Sequence, residues 1–134
     1  MALARMLAGV VLALVVGGAS AAAKNAALQG DPTTGEAIYA RCLACHALAY
    51  DRTGPRHCGL FGRRAGSVTG FEYSDAMKRS KIVWNEKTLD RFLANPLKAV
   101  PGTAMGYAGV EDPKERADLI AYLKQANQSP QCGK

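Results

Sequence analysis

Between residues 49 and 72 the chain places a glycine at positions 54, 59, 62, 66 and 70, and between 95 and 111 it adds two prolines and three glycines. Irregular segments this long are uncommon inside a small compact domain. The segments around them offer little to bury, since the chain of 134 residues has one Trp and three Phe. A chain so short of core, with so much wrapping loop, needs another body to pack against. A large apolar cofactor would supply it.

The remaining segments read as helices. Asp31-Pro32 pairs a capping residue with a proline at the first helical position, and Ala37, Ile38 and Tyr39 lead from there to Cys42. Residues 73–80 form a short predicted helix. A further one starts at a cap on Asn85 and stops at Pro96, with Leu89, Phe92 and Leu93 on one face. The strongest pattern is residues 112–128, where Asp112, Pro113 and Glu115 read as cap, first-turn proline and capping-box acid. Leu119, Tyr122, Leu123 and Ala126 follow at helical spacing. No stretch alternates as a strand does, so the expected class is all-α.

The N-terminal 23 residues read as a signal peptide. Arg5 precedes an apolar run over Leu7–Val16, and small residues around Ala19–Ala23 fit a cleavage site. An uncleaved anchor is the competing reading, weakened by the shortness of the run and by Gly17-Gly18. Residues 24–134 would then be one domain, exported to a compartment that permits disulfides. The formal charge of +6 is spread without a Lys/Arg run, which argues against a nucleic-acid footprint. No later stretch is apolar enough for stable insertion in a membrane.

"RCLACH", residues 41–46, sets two thiols and an imidazole on one turn. A zinc site would need a fourth ligand, and His57, Cys58 and Cys132 form no second metal-ligand pair. A redox dithiol should follow a strand and open a helix, whereas this motif ends one. Covalent haem needs this spacing. Cys42 and Cys45 add across the two vinyl groups on one porphyrin edge, and His46 stands over the iron as proximal ligand. For the iron's other face, Met105 lies in the second loop after a Pro101-Gly102 turn, where a methionine has little core to fill. Met77 sits on a predicted helix. His57 could make a bis-histidine site, although an exposed loop histidine is the plainer reading.

These segments, "GEAIYARCLACH", "TGPRHCGLFGRRAG", "GFEYSDAMKRSKIVWNEKTLDRFLANP", "VPGTAMGYAG" and "RADLIAYLKQ", resemble the class I c-type cytochromes in the family's order over nearly all of residues 35–125. The resemblance implies the class I cytochrome c fold, with N- and C-terminal helices crossing around one haem c. It implies that the Pro55 carbonyl accepts the Nδ1 hydrogen of His46, and that Arg63, Tyr73 and Trp84 bind a buried haem propionate. It also implies that Gly35 and Tyr39 meet Leu119 and Tyr122 where the terminal helices cross.

The implied function is a soluble, periplasmic, monomeric one-electron carrier of bacterial type, with membrane or periplasmic redox proteins as donor and acceptor. A peroxidase-like haem enzyme with a labile Met105, or a subunit docked in a larger oxidoreductase, are the alternatives. Several positions depart from the family. Leu97 and Ala104 replace usual lysines at the exposed haem edge, Phe92 replaces a tyrosine, and Cys58 and Cys132 are additions. With Cys42 and Cys45 on haem, these two are the remaining thiols. The family fold brings the loop after "GP" near the far end of the last helix, so a Cys58–Cys132 disulfide is expected.

Overall fold

The computed structural model describes residues 29–134, so the predicted signal segment lies outside the described residues. Five α-helices occur among them: α1 (Pro32–Tyr39), α2 (Asp75–Arg79), α3 (Glu86–Ala94), α4 (Pro96–Ala99) and α5 (Pro113–Ala126). Short 3₁₀ turns follow α1 at Ala40–Cys42 and close the chain at Pro130–Cys132. No strand appears among the described residues; a single bridge joins Arg64 to Val83.

Local chemistry explains the helix ends. Asp31 caps α1 by accepting from the Thr33 N–H, and Asp112 caps α5 by accepting from Lys114 and Glu115. The second helix begins at Asp75 instead of residue 73, because the Ser74 side chain takes the cap position and accepts from Met77 N–H. Pro96 does end α3, but it also opens α4, since the Asn95 side chain accepts from Lys98 N–H at 2.9 Å. Part of the expected second loop is therefore helical.

Glu115 is the clearest difference from expectation. Its carboxylate does not close a capping box but receives both guanidinium nitrogens of Arg41, at 2.8 and 2.9 Å. A bidentate charge-assisted pair is the stronger use of that carboxylate. Its pKa is held below the ordinary glutamate value, chiefly by that hydrogen bond.

Helices α1 and α5 cross at Gly35. A Cβ there would lie 2.0 Å from the Asp118 carbonyl oxygen and 2.8 Å from Tyr122 Cβ, so only glycine lets the backbones meet. The Tyr39 and Tyr122 rings pack 5.1 Å apart beside it. Asp118, buried at the crossing, accepts from the Asp31 N–H at 2.6 Å and from Lys114 Nζ at 2.5 Å. Leu119, Ile120 and Leu123 of α5 join Leu89, Phe92 and Leu93 of α3 in the core, and Asp90 receives Arg116 Nε at 2.8 Å across the same seam.

Candidate functional site

A cavity of about 500 Å³ opens beside this core, within the range of roughly 300–1,000 Å³ typical of cofactor sites. All eight residues expected to bind the cofactor line it: Cys42, Cys45, His46, Pro55, Arg63, Tyr73, Trp84 and Met105. They come from four separate stretches of chain, brought together only by the two loops.

The 41–46 motif forms one turn. Cys45 and His46 N–H groups both donate to the Cys42 carbonyl, at 3.1 and 2.8 Å. Cys42 is partly buried and Cys45 exposed, and both thiols are free. Burial pushes the Cys42 thiol pKa up. The buried His46 ring donates from Nδ1 to the Pro55 carbonyl at 2.8 Å, which leaves Nε2 as the nitrogen with a free lone pair. Burial lowers the His46 pKa, partly opposed by that hydrogen bond, so the ring is disposed to be the neutral form a metal requires.

Arg63 and Trp84 are placed side by side by backbone pairing: Trp84 N–H donates to Arg63 O at 2.9 Å, and Gly62 N–H to Trp84 O at 2.8 Å. The Arg63 guanidinium donates to the Cys58 and Arg56 carbonyls at 3.0 and 2.9 Å. Burial lowers its pKa and raises that of Tyr73. Phe92 packs edge-on to Trp84, with ring centroids 5.1 Å apart. Met105 sits partly buried in the loop after the Pro101-Gly102 turn, where Gly102 has φ +89°. Met77 lines the cavity as well, from α2.

Two residues at the site were not singled out from sequence for the place they hold. A Cβ at Gly54 would lie 2.2 Å from His46 Cε1, so this glycine is pressed against the imidazole. The glycine preceding Pro55 in "TGP" was the available signal. His57 is not an exposed loop histidine. Its ring stacks on His46 at 4.4 Å and 18°, and its Nδ1 is 2.9 Å from the Tyr39 hydroxyl. Burial pushes its pKa down to about 3. A ring stacked against His46 stands on the same side of the cavity, so it is not placed to bind the opposite face of a haem. Cys58 and Cys132 have Cα atoms 5.2 Å apart and sulfurs at bonding distance, which removes both from any set with Cys42 and Cys45.

The family model for cytochrome c matches residues 32–127. The chain belongs to the cytochrome c family. It is 44% identical over 112 residues to cytochrome c2 of Rhodomicrobium vannielii, an alignment covering 81% of this chain and 90% of that protein. Cytochrome c of Ginkgo biloba is 45% identical over 101 residues, covering 72% and 89%. Among solved structures, cytochrome cH from Methylobacterium extorquens superposes with a TM-score of 0.70 at 43% identity, covering 72% of this chain and 99% of its own.

The fold is thus the helical class I cytochrome c fold, and the cofactor is haem c, attached through Cys42 and Cys45. An apolar cavity with two free thiols and a buried imidazole on its wall fits that group. The protein is an electron carrier and not an enzyme. Among the described residues, no helix is long and apolar enough to cross a membrane.

Proposed function

We propose that the protein is a periplasmic, monomeric one-electron carrier of the cytochrome c2 type, with His46 and Met105 as the axial ligands of its haem. The supporting observation is the shared cavity, which has the 42–46 turn and Met105 in its lining. Bound there, haem c supplies a one-electron couple. Pro55 holds the Nδ1 proton of His46, which leaves Nε2 as the nitrogen that would bind the iron and would strengthen it as a donor. Arg63, Tyr73 and Trp84 take a propionate, whose burial without partners would be costly.

Cys45 is exposed, so the thioether edge is open to a donor or acceptor. Leu97, 52% exposed, with Ala104 and Ala108 makes that edge largely uncharged. Docking by membrane or periplasmic redox proteins would then rest on apolar contact with modest charge steering, and nucleic acid is not a partner. Residues 1–23 serve as the export signal in this reading. A Cys58–Cys132 disulfide fits the same compartment, and a Cα separation of 5.2 Å suits it.

Acid-acetone extraction and the visible spectrum of Met105→Ala test the ligand set. Haem should stay with the protein, and the variant should lose the weak red charge-transfer band of sulfur bound to ferric haem. An unchanged spectrum would overturn the Met105 assignment.

A further inference from the structure

Imidazole rotation about its Cβ–Cγ bond is a broad, roughly two-fold torsion, so neighbours must set the plane of a ligand histidine. For His46 the Pro55 carbonyl fixes one point, at 2.8 Å from Nδ1. A second histidine covers the ring: His57 stacks on it at 4.4 Å, tilted by 18°. That second ring is itself fixed. Tyr39, 3% exposed on α1, hydrogen-bonds its Nδ1 at 2.9 Å, and the His57 backbone is anchored as well, its main-chain N–H donating to the Ala47 and Leu48 carbonyls at 3.1 Å each. Gly54 closes on the His46 ring itself, where a Cβ would sit 2.2 Å from His46 Cε1.

A simple space-filler here would be aliphatic. A polar histidine–tyrosine pair in an apolar wall carries a desolvation cost that only a specific hydrogen bond offsets, and such satisfied pairs rigidify their surroundings. We propose that the Tyr39–His57 pair is a positioning element for His46, holding the plane of the ligand ring and its Nδ1–H bond to Pro55 fixed in both redox states. This rests on the reading that His46 binds the haem iron. Loosening the pair weakens the Nδ1 hydrogen bond, makes the imidazole a poorer donor and favours the reduced state.

The test uses the purified holoprotein with Tyr39→Phe, which removes only the hydroxyl, and His57→Leu, which removes stack and hydrogen bond together. In the reduced protein, solvent exchange of the His46 Nδ1 proton, followed by NMR, should accelerate at least tenfold in His57→Leu and about threefold in Tyr39→Phe. At a fixed solution potential the reduced-to-oxidised ratio should rise at least threefold in His57→Leu, about 28 mV at 59 mV per decade for a one-electron couple. His57→Phe, which keeps a ring to stack, should restore part of the exchange protection, and it carries the test if His57→Leu does not retain haem. Lower melting temperatures with exchange and potential unchanged would mean packing alone and overturn the proposal. A wild-type spectrum that shows no histidine nitrogen on the iron would overturn the ligand reading instead, and the proposal with it.

Discussion

The two sides of the cavity are held by different means. On the His46 side the ring meets the Pro55 carbonyl at 2.8 Å, the His57 ring at 4.4 Å and the Gly54 backbone, and the neighbouring Cys58 lies against Cys132 of the tail. On the Met105 side the backbone is tied locally. Thr103 N–H donates to Val100 O at 3.0 Å, Met105 N–H to the Thr103 hydroxyl at 3.3 Å, and the loop rejoins the fold where Val110 N–H meets Leu93 O at 2.8 Å. The imidazole is fixed by residues 54–57, a stretch itself tied to α1 through the Tyr39–His57 hydrogen bond and to the tail at Cys58, the thioether by a turn that could open without disturbing them. Local opening free energies follow such differences, so the Met105 loop should open first under denaturant or heat.

A matched pair of substitutions would break this comparison most directly, because a glycine stands near each of these two side chains. Gly54→Ala drives a Cβ to 2.2 Å from His46, whereas a Cβ at the exposed Gly106, next to Met105, meets no protein atom within 4 Å. The expected cost is about 3 kcal/mol at Gly54, as for severe overpacking, and within about 0.5 kcal/mol at Gly106. Denaturant melts of the two variants measure this. Equal effects would mean that the two sides are equally constrained.

The tail contact sharpens the comparison at a smaller scale. A bridge across 74 positions of sequence would be worth roughly 4 kcal/mol by chain entropy, but the haem tether already restricts the unfolded chain. Replacing Cys58 and Cys132 together by Ser should therefore cost about 2 kcal/mol by the same reasoning, leaving the Met105 charge-transfer band intact. Loss of that band at mild denaturant in this variant would show that the staple also supports the far side.

The Arg41–Glu115 pair joins the haem-attachment turn to α5 at the surface and should have the smallest effect. Glu115 has a depressed folded-state pKa, so its contribution is present above the ordinary glutamate value and is lost as pH falls through the lowered one. Arg41→Leu should flatten the acid limb of stability below about pH 4.3, the unperturbed glutamate value, and leave neutral stability little changed because the pair is half-exposed. Melting temperature against pH for both proteins checks this.

Residues close in sequence were the legible ones. The caps at Asp31, Asn85 and Asp112 bond N–H groups two or three positions ahead, and the 42–46 turn closes on the Cys42 carbonyl. Their geometry is set by the chain itself, whatever surrounds it. The set that lines the cavity was legible for a related reason: haem attachment would dictate the spacing of Cys42, Cys45 and His46, and a methionine stranded in a loop has few other uses. The capping-box reading of Glu115 failed where a distant partner outcompeted a local one, since Arg41 lies 74 positions away. His57 escaped for the same reason. A lone histidine in a glycine-rich loop carries no local sign of a stack on His46 or of the Tyr39 hydroxyl, 18 positions back. The sequence by itself determined the starts of α1, α3 and α5 and the thiol–imidazole turn, because those depend on hydrogen bonds within a few residues. Only the tertiary structure decided what stands behind His46 and what presses on it, because those contacts exist only once the long loops have closed on the core.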